Sequence, residues 1–389
     1  MKIEFDVKCF VQKIKLALAI IPEKTLSPIL QCVKIVATND GVSLHATDGN
    51  VGIRIPVSCV DVLEDGIGTV SCKDILGLLN SARENRCILE IGRSGTLHLK
   101  SNTLNFDVFS DEMSDAPIVV SGTHACYEVS MRSMLNAVKR VLFAVGKPDF
   151  VKIPAIAGVL LSSFKDRFNI VGTDNFRLAW QEIAATPLEL GNVKTTVPIE
   201  ALKLIESISK DKTISLDSMV QMTFMDKSVI FQFLNGIAIV SNVVEHVYPK
   251  WKSVIYNTVS MHCVEIPSSD LYERLKSLSQ VMGNRDSQID MVFSKNKLKI
   301  TCRKKDGKST NVTMAIKSNL KAEMVLDIKH LLDYLKVLNT DAILYWYIPE
   351  GKKLSKGRIK PILLRAPCVE FDGYTYIIQP AMLDSPAVT

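Results

Sequence analysis

The sequence predicts an α+β protein made of three tandem copies of one domain, each with two helices packed on small antiparallel sheets. Three observations carry this. The chain has 389 residues, enough for two or three cores. A helix entry, a hairpin and a second helix entry recur in one order along it. The hairpins show strict two-residue alternation around polar turns.

The first helix entry appears as Ile3-x-Phe5 leading into Phe10, Val11 and Ile14. It returns as Tyr127-x-Val129 before Met134, Leu135 and Val138, and as Val264-x-Ile266 before Leu271, Tyr272 and Leu275. Each time a short extended segment precedes apolar residues on one helical face. The hairpin follows: Val42, Leu44 and Ala46 after Asn39-Asp40-Gly41; Phe168, Ile170 and Gly172 after Lys165-Asp166-Arg167; Leu298, Ile300 and Cys302 after Lys295-Asn296-Lys297. The first two copies run on into Thr47-Asp48 and Thr173-Asp174, for which a turn or cap role is expected. Second helices begin near Lys73, Glu200 and Lys329. Helices are therefore predicted over 7–21, 73–86, 131–147, 200–212, 268–285 and 329–338. The domains are placed at 1–122, 126–250 and 262–383, with joints carrying Pro117 and Pro249.

Composition excludes several classes. No apolar run is long enough for a membrane span and no signal peptide begins the chain, so a cytoplasmic protein is expected. Nine dispersed cysteines, without zinc spacing, read as reduced and mostly buried thiols. No phosphate loop, dinucleotide fingerprint, zinc-protease motif or nucleophile elbow occurs, and the six histidines share no ligand spacing. Neither a catalytic residue, nor a metal, nor a cofactor is expected.

Net charge is only +6, but it is unevenly placed. The six predicted helices hold 18 Lys and Arg against 8 Asp and Glu, the remainder 29 against 33. A basic helical layer over a slightly acidic strand layer suits phosphate contact on one side. From this charge, Lys73, Arg83, Lys139, Arg140 and Lys203 are candidate contacts for double-stranded DNA. A sequence-specific regulator would need Arg, Asn or Gln grouped on a recognition helix, and these helices offer dispersed cations instead. An enzyme acting on phosphodiesters would need converging carboxylates, and no such cluster is evident.

Four segments resemble the bacterial DNA polymerase III β subunit family, the sliding clamps. They are Ser27-Pro28-Ile29-Leu30, Thr173-Asp174-Asn175-Phe176-Arg177-Leu178-Ala179, Tyr248-Pro249-Lys250-Trp251 with Val254, and Tyr376-Ile377-Ile378-Gln379-Pro380-Ala381-Met382-Leu383. The resemblance spans nearly the whole chain. It implies a head-to-tail homodimer forming a six-domain ring that encircles duplex DNA without sequence preference. It further implies loading by a clamp loader, and docking of the polymerase III α subunit, other polymerases and repair proteins through short hydrophobic peptides. Twelve helices, each roughly 10 Å wide, would line an opening of roughly 38 Å, enough for a duplex and water.

Carried over by position, the peptide pocket comprises Ile156, Thr173, Phe176, Arg177, Leu178, Pro249, Val254, Ile377, Ile378, Pro380, Met382 and Leu383. Lys24 matches a basic DNA contact of the family, and Lys147, Phe150 and Lys152 occupy a second DNA-touching loop. For the dimer contact, Leu104, Phe106 and Val108 end the first domain, and Val281 and Met282 match the facing helix. The sequence departs from the family at Asn175-Phe176, where Gly-His is usual, at Ser253, where Arg is common, and at Ile153-Pro154-Ala155. A short tail, 384–389, runs past the family's usual end.

Overall fold

A computed structural model describes residues 1–91, 96–100, 105–109, 125–148, 152–211, 214–255, 258–282, 287–303, 309–338, 341–349, 360–366 and 372–381. The chain forms two compact units: residues 1–138, 162–167 and 184–245, and residues 139–161, 168–183 and 246–389. Six α-helices occur among the described residues: α1 (Val7–Leu18), α2 (Cys72–Ser81), α3 (Met131–Leu142), α4 (Ile199–Ile208), α5 (Ser268–Val281) and α6 (Ile328–Leu338).

In the first unit, the strand Lys2–Asp6 runs directly into α1, because the Asp6 carboxylate accepts the Cys9 amide at 2.9 Å and caps the helix. Phe10, Ile14 and Ala17 are fully buried, which is the face the spacing predicts. Ser71 caps α2 through the Asp74 amide, and α2 packs against α1. One sheet here has five strands, with Lys2–Asp6 between Val60–Glu64 and Arg86–Ile91, and Asn105–Phe109 at one edge. The other has nine. It is continuous because Val51–Val57 pairs antiparallel with Ala238–Asn242, Ile53 opposite Ile239.

The second unit repeats this device. Arg177–Ala184 pairs antiparallel with Tyr374–Ile378, Leu178 opposite Ile377. A four-stranded sheet, with Ser309–Ala315 at its edge, lies in the same unit, where α5 and α6 pack together. At the two pairings, Gly236 faces Pro56 and Gly373 faces the Glu182 carbonyl; a Cβ there would lie 2.9 and 3.0 Å from those groups. Both glycines have positive φ, 82° and 69°, so the turn and the close approach require them.

All six predicted helices form, but five end early. The chain after α2 turns extended at Ala82, and that after α5 does so at Met282. After α3 the Gly146 amide is taken by the carbonyls of Ile156 and Thr173, which draws the chain out of the helix. The cysteine reading needs correction. Cys9 and Cys59 form a disulfide across 50 residues, because pairing of Val60–Glu64 with Lys2–Asp6 sets their Cα atoms 6.4 Å apart. Of the six free thiols described, five are buried and Cys263 is exposed.

Candidate partner-binding groove

The candidate site begins with a turn. Thr173 Oγ1 donates to the Arg177 carbonyl at 2.6 Å and accepts the Asn175 amide, while the Asp174 carboxylate accepts the amides of Phe176 and Arg177. The same bonds recur at Thr47 and Asp48: Thr47 Oγ1 donates to Val51 and accepts Gly49, and Asp48 accepts Asn50 and Val51. The Thr-Asp pairs are therefore turn residues, as expected. The turn's third residue must be left-handed, with φ 97° at Gly49 and 76° at Asn175. Asn tolerates that region better than any other residue with a side chain.

Beyond the turn the strand alternates. Leu178 and its cross-strand partner Ile377 face an apolar cluster with Ala155, Leu160, Val171, Tyr248, Trp251 and Leu363. Trp180, Val254, Ile255 and Tyr347 pack around it, partly buried. The segment from Tyr248 covers this face. The Tyr248 hydroxyl donates to the Val171 carbonyl at 3.2 Å, and burial pushes its pKa up. Trp251 meets Trp180 at 5.2 Å between ring centroids, and the Trp180 indole donates to Asn169 at 2.8 Å. A short helical turn, Trp251–Val254, then carries Val254 to the rim.

Arg177 lies on the sheet's opposite face. Its guanidinium donates to Asp174 and to Asp333 of α6, both at 2.9 Å, and stands over the Phe143 ring. Burial disfavours its charge, but Tyr376, Asp333 and Asp174 outweigh that and raise its pKa. Tyr376 stacks on Tyr334 at 4.6 Å, and burial raises its pKa also. Burial, and next Arg177, lower the pKa of nearby His330.

The structure thus divides the predicted pocket. Leu178, Ile377 and Val254 come together, with Pro249 at the start of the covering segment. Ile156 and Ile378 are fully buried and lie outside this cluster, while Leu178 and Ile377 are nearly as buried within it. Thr173 shapes the turn, Arg177 is held by two carboxylates, and Phe176 is 64% exposed. Pro380 is buried, and the following Ala381 amide bonds the Val325 carbonyl; Met382 and Leu383 lie outside the described residues. Trp180, Tyr248, Trp251 and Leu363 were not among the predicted pocket residues. The Leu178-x-Trp180 alternation was the available signal for Trp180.

Of the candidate DNA contacts, Lys24, Lys73, Arg83, Lys139, Lys147, Lys152 and Lys203 are exposed. Arg140 departs from expectation. It is buried, donates to Gln181 at 2.9 Å and lies over the Tyr374 ring, so it supports the core instead of meeting solvent. Phe150 lies outside the described residues, as does Leu104; Phe106 and Val108 fall on the edge strand Asn105–Phe109, described in its backbone alone. Val281 is 42% exposed and Met282 8% exposed within a single chain. No helix among the described residues is long and apolar enough to cross a membrane.

The fold defines a clamp-type protein, and the comparisons agree. The DNA polymerase III beta subunit models match over residues 1–111 for the N-terminal domain and 128–250 for the central domain. A beta sliding clamp of Chlamydia trachomatis is 24% identical, over 76% of this chain and 69% of its own. The crystal structure of the Bacillus subtilis sliding clamp superposes with a TM-score of 0.86 at 18% identity, covering 98% of this chain and 99% of that one. The DNA polymerase III subunit beta of Pseudomonas aeruginosa gives 0.87 at 18% identity, covering 98% and 100%. The chain belongs to the DNA polymerase III β subunit family of sliding clamps, which are processivity factors and not enzymes.

Proposed function

We propose that this clamp closes as a head-to-tail homodimer of six domains around double-stranded DNA, and that its apolar groove holds short hydrophobic peptides of DNA-processing partners. The observation that carries the ring is the sheet pairing. At each of the two long-range pairings, one domain's fourth strand (Val51–Val57, Arg177–Ala184) joins the next domain's last strand (Ala238–Asn242, Tyr374–Ile378). With domains at 1–122, 126–250 and 262–383, the third domain's fourth strand, Ser309–Ala315, and the first domain's last strand, Asn105–Phe109, are left as sheet edges. Open edges seek strands. A third pairing of the same kind, made twice between two chains, closes the ring without new geometry.

Exposed Lys8, Lys15, Lys73, Lys139, Lys203, Lys276, Lys329 and Lys336 on the helices supply a sequence-independent cationic layer. The groove around Leu178, Ile377, Trp251 and Val254 suits an apolar peptide from the polymerase III α subunit, the clamp loader or a repair protein. Native mass with small-angle scattering tests the ring. A hollow dimer is expected, and a compact monomer at micromolar concentration overturns it. Once loaded, the protein should stay far longer on circular than on linear DNA, since topology holds it. Equal escape from both would defeat the clamp reading for this chain.

Peptide binding has its own test. Because Pro380 is buried and Ala381 is bonded to Val325, the informative truncation begins at Met382. Removing 382–389 should weaken a labelled polymerase-derived peptide by about two orders of magnitude, from two lost side-chain burials. Unchanged affinity would mean that the groove lies elsewhere.

A further inference from the structure

A cavity of about 500 Å³ in the first unit is lined by Lys13, Ser43, His45, Arg54, Ser58 and Asn235, with Val36, Pro56 and Val57 as apolar walls. Its volume is that of small-ligand sites. Arg54 and His45 are cross-strand partners, so their side chains share one face of the sheet. The His45 ring meets the Ser43 hydroxyl at 2.9 Å. Lys13 reaches the cavity from α1; its side chain is 8% exposed and its ammonium donates to Asp211 at 2.6 Å.

The chemistry is selective. An ammonium has three donors and Asp211 takes one, which leaves donors for a ligand. Arg54 adds a planar guanidinium fork, the group best suited to phosphate oxygens. Hydroxyls of Ser43 and Ser58 and the Asn235 amide are neutral donors beside it. A single carboxylate, Asp40, stands in the lining; Asp211 balances Lys13, so Arg54 is the principal cation toward a ligand. The matching face of the second unit, 126 residues on, carries Asn169, Val171 and Trp180, with no charged side chain among the three. The two faces share a backbone and differ in the ligand they can take.

We propose that this cavity binds a phosphate-bearing small molecule of nucleotide size, its phosphate held by Arg54, Lys13 and the neighbouring hydroxyls. The test is calorimetric titration of the full-length protein with inorganic phosphate, pyrophosphate, ATP without magnesium, and adenosine. Pyrophosphate and ATP should bind and adenosine should not. Removal of Lys13 strands a buried Asp211 carboxylate, so the working variant is Arg54→Gln, at an exposed residue. It should weaken both ligands at least about tenfold, and His45→Asn should weaken them less. Absence of pyrophosphate and ATP binding, equal binding of adenosine, or unchanged affinity in Arg54→Gln overturns the site. Arg54→Gln should leave peptide affinity at the second-unit groove and retention on circular DNA unaltered, so failure here is distinct from failure of the clamp reading.

Discussion

The two long-range strand pairings use one backbone plan and opposite side chains. In the second unit, Leu178 stands opposite Ile377, and Val171 and Trp180 flank them under the Tyr248–Trp251 segment. In the first, Gly52 stands opposite Val240, with His45 and Arg54 alongside. Even the turns that lead into the pairing strands, at Thr47 and Thr173, share the four hydrogen bonds made by the Thr and Asp side chains. The pairing alone therefore does not make an apolar cluster. Side chains on one sheet face do, and only the second unit has them among the described residues.

The largest expected effect comes from placing a charge on that face. Leu178 is 4% exposed, so Leu178→Asp buries an unpaired carboxylate and should destabilise the second unit by several kcal/mol, of order 4 or more. Gly52→Ala, at the matching position, meets nothing closer than 3.6 Å and should cost less than about 1 kcal/mol, or stabilise. Hydrogen exchange on peptides from each unit reads both changes. Equal effects would erase the distinction between the two faces.

The disulfide gives the next contrast, since it belongs to the first unit. Opening a 50-residue loop should cost about 4 kcal/mol in that unit and nothing directly in the second. Reductant, or Cys9→Ser with Cys59→Ser, should lower the first unit's melting temperature alone. Intact mass before and after reduction confirms the starting state, with two hydrogens gained. A pH contrast follows. His330 in the second unit has a lowered pKa, from burial and then Arg177, against Asp327, Asp174 and Asp333. Below its ordinary value of 6.5 the unfolded chain binds a proton that the native chain resists, so the second unit loses stability as pH falls through that window. Above it the penalty vanishes. His330→Gln should flatten this slope in urea melts run between neutral and mildly acid pH.

Much of this was legible in the sequence, for definite reasons. The helix entries and hairpins carry local periodicity, and repetition multiplied a weak signal into a firm one. The pairing of Val51–Val57 with Ala238–Asn242 was not legible, because nothing local links strands so far apart. The Cys9–Cys59 bridge was hidden for the same reason. The pocket residues divide between the two faces of the sheet in an instructive way. Arg177 and Leu178 are neighbours in a strand, so they must face opposite sides, as must Ile377 and Ile378. That rule was available from the alternation itself. Arg140 was misplaced because its partners, Gln181 and Tyr374, lie far away in sequence.

The smallest expected effect lies in the two turns, and it sharpens the comparison most. Gly49 and Asn175 hold the same left-handed position, at φ 97° and 76°. Four hydrogen bonds around them are the same, and the second turn adds one from the Arg177 guanidinium to Asp174. Asn175→Gly should change stability by only a few tenths of a kcal/mol, because relief of the left-handed strain offsets the gain in unfolded-chain entropy. Asn175→Ala should cost about 1 kcal/mol, as Ala pays the strain without Asn's local hydrogen bonding. Gly49→Ala should cost somewhat more, since φ 97° lies further from the left-handed minimum near 57°. Gly49→Asn should fall between. Urea melts of the four variants rank them. If Asn175→Ala proves neutral while Gly49→Ala is costly, the two turns differ in rigidity despite their common bonds, and the second is free to adjust when a peptide docks beside Leu178.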